Sequence, residues 1–188
     1  MSYSNVQQRQ ILTLARESIS HGLMSGRTLA VDSRDYDLFL RELACSFVTL
    51  RKLGELRGCI GSLSPRLPLV EDIVTHAFSA AFEDSRFPRV APDELSLLDI
   101  EVSILSPQQE ISFRTEEELL DQLRPFKDGL TLEDGHHHST FLPSVWDIIP
   151  DKKTFLIKLK QKAGMKSSHW SKTLKAYRYQ TTSIQAQQ

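Results

Sequence analysis

The sequence predicts an α+β fold with a mainly antiparallel sheet flanked by helices. Three observations predict it. Helical and extended patterns alternate along the chain without the regular strand–helix–strand units of a parallel sheet. Two turn signals, Gly54 and Asp134-Gly135, fall between extended runs at hairpin spacing. Finally, 188 residues, 40% of them hydrophobic and 25% charged, suit one soluble domain, or one main domain with a small appendage, that buries a core of its own.

The elements follow in order. Ser4 and Gln7 have capping-box spacing, and Ile11, Leu12, Ala15 and Ile19 share one face of the helix they open. Gly22 is the expected stop. A long connection over residues 23–37 precedes a short helix over 38–43. Residues 45–50 are rich in β-formers, Gly54 turns the chain, and residues 55–63 return as the second strand. Pro65 and Pro68 end that strand, and Pro68 suits the first turn of a helix, where a missing donor costs nothing. Val70, Ile73, Val74, Ala77 and Ala81 line its inner face. This helix must end before Phe87-Pro88, because a residue preceding proline avoids the helical region.

In residues 97–106, Leu98, Ile100, Val102 and Ile104 alternate with Asp99, Glu101 and Ser103, the pattern of a half-buried strand. Residues 111–113 extend the same sheet. Thr115 and Glu118 form a second capping box, opening a helix through Leu123. Residues 128–132 and 139–142 flank Asp134-Gly135 as a second hairpin. A short helix over 144–149 precedes a better one capped by Asp151, with Phe155, Leu156, Leu159 and Ala163 on one face and Gly164 as its stop. Residues 176–182 read as the final strand. No internal repeat is visible.

Composition excludes several classes. No apolar run approaches the roughly 18 residues that a membrane span needs, and the polar start, residues 1–10, lacks the layout of a secretory signal. Two cysteines, Cys45 and Cys59, make neither a multi-disulfide framework nor a four-thiolate zinc site. A reducing cytoplasm is the expected location. The net charge of −1 argues against a dedicated nucleic-acid binder. Charge is uneven, however: residues 151–178 hold eight Lys and one Arg against one acid, and Glu116, Glu117, Glu118 and Asp121 form an acidic cluster. The default reading of both is a solvated face. No Walker loop, GxGxxG fingerprint, HExxH helix or GxSxG elbow is present.

Leu56-Arg57-Gly58-Cys59-Ile60-Gly61 is the most distinctive stretch. It resembles the signature hexapeptide of the AMMECR domain family. Phe47-Val48-Thr49-Leu50 precedes it in the family's manner. Ala80-Ala81-Phe82, Asp84 with Arg86-Phe87-Pro88, and the run from Ile100 through Ser106 resemble the family's next blocks. Asp128-Gly129-Leu130, Thr140-Phe141-Leu142-Pro143 with Val145-Trp146, and Lys162-Ala163-Gly164 followed by Trp170 continue them in order. His136-His137-His138 departs from the pattern. The resemblance implies one AMMECR-like domain over residues 1–188, with a main sheet-and-helix body, a smaller subdomain and a cleft beside the signature. It also implies association, in microbes, with a Memo-type protein and a radical S-adenosylmethionine enzyme. It carries over no catalytic residue and no cofactor.

Read physically, an extended signature places Arg57 and Cys59 on one side, about 7 Å apart. That guanidinium would favour a Cys59 thiolate by Coulomb attraction. Gly58 and Gly61 leave the backbone bare on either side, as at a bulge or a close approach by a ligand. Three readings stay open. Cys59 is a nucleophile or redox thiol; or Arg57 takes a small anion or a peptide over a glycine floor; or the glycines serve a bulge and Cys59 is an inert hydrophobe. A cysteine nucleophile usually needs a histidine within reach, and no spacing nominates His76 or His169. With the turn near Gly54, Cys59 falls opposite Phe47 or Val48, too far from Cys45 for a disulfide.

Asp84 and Arg86 follow a helix. They either pair locally to fix its exit or bring Arg86 beside Arg57 for an anion. The three adjacent histidines alternate sides in a strand, so they make no tetrahedral metal site alone. Trp170, Tyr177 and Tyr179 interleave with Lys166, Lys172, Lys175 and Arg178, a pattern that stacks single-stranded nucleic acid. Packing is the preferred account without a basic pI. The functional expectation is an accessory ligand- or partner-binding module that uses the cleft at Arg57, Gly58, Cys59 and Gly61 with Asp84 and Arg86. The alternative is an enzyme using Cys59 as nucleophile or thiolate.

Overall fold

The structure, a computed structural model, describes residues 3–186. Backbone contacts divide the chain into two compact units. One runs to Leu105 and resumes at Thr182; the other is Ser106–Thr181. Helices and two four-stranded sheets among the described residues give the expected α+β class.

The first unit contains α1 (Asn5–Ser25), α2 (Leu38–Arg41), β1 (Cys45–Lys52), β2 (Glu55–Gly61), α3 (Leu69–Phe82) and β3 (Leu98–Leu105). The Ser4 hydroxyl accepts the Gln7 N–H, and the Gln7 side chain accepts the Ser4 N–H, closing the capping box. The helix does not stop at Gly22. It continues to Gly26, whose φ of 71° suits glycine and whose N–H donates to the Gly22 carbonyl. Gly22 is a packing residue instead: a Cβ there would overlap the rings of Phe78 and Phe82. In α3, Pro68 is the N-cap residue rather than a first-turn residue, and Val70, Ile73, Val74, Ala77 and Ala81 are all buried.

The sheet order is β2-β1-β3-β8, where β8 is Thr181–Gln185. Strand β1 runs antiparallel to both neighbours, with Val48 opposite Ile60 and Val102. Val48, Leu50, Ile100, Val102, Ile104 and Ile184 face the buried residues of α1 and α3 in one core. Each large apolar side chain so buried contributes about 1.5–3 kcal/mol.

The second unit contains β4 (Gln109–Ile111), α4 (Glu116–Gln122), β5 (Gly129–Asp134), β6 (His137–Phe141), a 3-10 turn over Pro143–Asp147, α5 (Lys152–Lys162) and β7 (Lys175–Tyr179). Its sheet is ordered β4-β7-β5-β6, antiparallel throughout. Two sequence expectations are corrected. The stretch at residues 111–113 does not extend the first sheet; its strand is β4, at the edge of the second. The expected last strand breaks at Gln180 into β7 and β8, which belong to different sheets. Trp146 stacks on Phe155 at 3.6 Å between ring centroids and donates its indole N–H to the Asp128 carbonyl, fixing the centre of this core.

Candidate functional site

The signature is strand β2, an edge strand. Leu50 pairs with Gly58 and Arg51 with Leu56, so Arg57 is the extra residue of a β-bulge. The bulge interrupts the alternation that would set Arg57 and Cys59 side by side. Cys59 lies opposite Thr49, which also lies opposite Glu101. Paired residues share a face, so Cys59, Thr49 and Glu101 occupy the sheet face away from the α1–α3 core. Gly58 faces the helix. A Cβ there would land on the Ala80 carbonyl oxygen, so α3 can lie against β2 only because residue 58 has no side chain.

Arg57 is tied to the segment after α3. Its Nε and one terminal nitrogen donate to the Glu94 carboxylate at 3.1 and 2.9 Å, and its terminal nitrogens also reach the carbonyls of Pro88 and Arg89. Its side chain is 11% exposed. Glu94 also accepts from Lys52 Nζ at 2.8 Å and from the Ala91 N–H. The Arg57 fork, then Lys52 and the Ala91 amide, hold the Glu94 carboxyl well below the usual carboxylate range.

Asp84 and Arg86 close the outer edge of β2. Asp84 Oδ2 accepts the Cys59 N–H at 2.9 Å, and an Arg86 terminal nitrogen donates to the Cys59 carbonyl at 3.1 Å. The two side chains also pair, with Arg86 Nε and a terminal nitrogen donating to Asp84 at 2.9 and 2.7 Å. Chiefly through Arg86, the Asp84 carboxyl is held well below its ordinary value. The local pair and the link to the signature are therefore both present: carboxylate and guanidinium stand where a neighbouring strand's carbonyl and amide would be.

The Cys59 thiol is half-buried, and its sulfur lies 3.3 Å from the Thr49 hydroxyl. Cys45 lies opposite Leu105, four positions from Thr49 along β1 and so farther from Cys59 than the two or three residues expected. Both cysteines are free, and burial pushes the Cys45 thiol up to about 11. Gly61 lies under the Phe47 ring. The cavities of about 600 and 340 Å³ in this unit are lined by neither Arg57 nor Cys59.

Sequence reasoning missed Asp72. This carboxylate is 2% exposed. One oxygen accepts the Ser46 N–H and hydroxyl at 2.7 and 2.6 Å and meets His76 Nδ1 at 3.1 Å; the other accepts the Ser62 hydroxyl. Its signal was a carboxylate inside an apolar helical stripe with a histidine four residues on.

In the second unit, His137 Nδ1 lies 2.8 Å from the Ala163 carbonyl, and His138 lies 3.5 Å from Glu133. His169 Nε2 and the hydroxyls of Ser171 and Thr173 gather on Asp134, each at 2.6 Å. Among the described residues no three His, Cys, Asp or Glu side chains are placed to share a metal ion. Lys160 is fully buried, 2.5 Å from Glu116 and beneath Trp170. Tyr179 is buried, its hydroxyl on Thr140, and burial pushes it up to about 12. Both side chains are packed rather than displayed.

Comparison with known proteins follows the same lines. The AMMECR1 family profile matches residues 12–184. A protein of Thermofilum pendens is 37% identical over 186 residues, covering 90% of this chain and 85% of its own. One of Methanothermobacter thermautotrophicus is 34% identical, covering 92% and 90%. The crystal structure of the uncharacterized protein PH0010 from Pyrococcus horikoshii superimposes with a TM-score of 0.82 at 32% identity, covering 93% of this chain and 88% of that one.

Proposed function

The chain belongs to the AMMECR1 family, and from that premise we propose that it is an accessory binding module rather than an enzyme. Its partners in this reading are a Memo-type protein and a radical S-adenosylmethionine enzyme. Its contact surface is the face of β1 and β2 that carries Thr49 and Cys59, with Arg86 beside it. One observation carries the reading: the charged side chains of the signature and of the segment that caps its edge are already engaged. Arg57 is neutralised by Glu94, Arg86 by Asp84, and the sulfur's own partner is a hydroxyl. That arrangement fixes a strand; it supplies no base for acyl or thiol chemistry. It also favours a protein or peptide partner over a small anion, for which Arg57 would have to abandon three acceptors. Arg86 is 56% exposed and remains able to touch a partner.

The test is calorimetry with the purified Memo-type protein and radical enzyme of the same organism. At least one should bind the wild type at micromolar concentration, and Thr49→Arg, which obstructs the face, should weaken binding by about tenfold or more. Failure of both partners to bind would overturn the reading.

A second reading, Cys59 as a reacting thiolate, is supported by the residue's partial exposure and the sulfur's 3.3 Å contact with a hydroxyl that can donate. Alkylation at pH 7 no faster than that of a cysteine in an unfolded peptide would remove it.

A further inference from the structure

Away from the thiol, the first unit holds a cavity of about 600 Å³ at the end of its sheet, where the β1–β2 hairpin turns and β3 begins. Its size is that of an ordinary small-molecule site. Charges of both signs line it: Arg16 from α1, Arg51 from β1, and Asp99 and Glu101 from β3. Arg51 and Asp99 are directly opposite in the sheet, yet among the described residues neither is engaged in an ion pair. Cross-strand opposite charges normally meet. The β1–β3 register is continuous through this pair, the bulge lying on β2, so both side chains are left free to meet a ligand. Arg16 is already oriented, its two terminal nitrogens donating to the carbonyls of Leu95 and Leu98 at 2.9 Å each. Leu12, half-buried on α1, supplies apolar wall.

We propose that this cavity binds a small zwitterion of the amino-acid or dipeptide class. The ligand carboxylate faces Arg16 and Arg51, its ammonium faces Asp99 and Glu101, and its aliphatic part lies against Leu12. Cations and anions lining one cavity favour a ligand carrying both charges, because a ligand with only one leaves the opposite set of side chains unmatched.

Titration calorimetry of the full chain tests this with three probes: glycyl-leucine; its N-acetyl derivative, which keeps only the carboxylate; and its C-terminal amide, which keeps only the ammonium. The expected result is binding of the dipeptide, with either derivative weaker by about tenfold or more. Arg51→Ala and Asp99→Asn, both at exposed positions, should each weaken the dipeptide by a similar factor with unchanged circular dichroism. Cys59→Ala should leave it unchanged, separating this site from the partner surface. No binding of the dipeptide at roughly 10 mM, equal affinity for all three probes, or indifference to Arg51→Ala would overturn the proposal.

Discussion

Arg57 joins two carbonyls and a carboxylate across more than thirty positions of sequence. Arg57→Ala leaves Glu94, 9% exposed, with Lys52 as its one charged partner beside the Ala91 N–H, and should cost about 3 kcal/mol in urea unfolding. Arg57→Lys should recover only part of that, because an ammonium cannot reproduce the planar fork. Glu94 and Asp84 make the fold acid-sensitive. A carboxyl whose folded pKa is depressed stabilises the fold above its unfolded value, near 4, and that contribution is lost as pH falls towards the folded value. The urea midpoint should therefore fall progressively from about pH 5 downwards. Glu94→Gln should be less stable at neutral pH and show a flatter acid limb, whereas an unchanged limb would count against the Glu94 assignment. The sequence made the residue types of this site legible, and the sheet partner of Cys59 to within a residue or two. It did not reveal Glu94, which depends on where a non-regular segment crosses the edge of β2, and it raised a bulge only as one of three readings of the glycines, without placing the extra residue at Arg57.

At the scale of elements, α1 and α3 meet where Gly22 lies under two phenylalanine rings. Gly22→Ala should cost about 1–3 kcal/mol through overpacking. Gly26→Ala, in open space at φ 71°, should cost about 1 kcal/mol through backbone strain alone. Thermal midpoints of the two variants, with the first lower, distinguish packing from capping. The same pair explains why the helix end was misread. Both glycines are plausible terminators locally, and only the tertiary contact with Phe78 and Phe82 selects the second. Strand periodicity was more informative: Leu98, Ile100, Val102 and Ile104 are all inward, as alternation requires. It could not show that residues 176–182 change sheets at Gln180, since a break at one polar residue leaves the β-propensity of both halves intact.

For the molecule as a whole, each unit has its own buried cluster, and the second is inserted into the first. Where the chain passes between them, the Ser106 N–H donates to the Gln180 carbonyl at 2.8 Å, and the Gln180 N–H donates to the Ser106 hydroxyl at 3.0 Å. The ends of the insert are therefore adjacent, the arrangement that tolerates excision. Residues 106–181 expressed alone should unfold cooperatively, as should the remainder with Leu105 joined to Thr182 by an Asn-Gly turn. Loss of a cooperative thermal transition in both would show that neither core suffices. Insertion also has a consequence during translation. Strand β8, which flanks β3, is encoded only after residues 106–180. At about 5–20 residues per second, the nascent chain holds an unfinished sheet, with β3 uncovered, for several seconds while the ribosome makes the intervening unit. The rim of β3 is thus where a chaperone has the longest opportunity to bind.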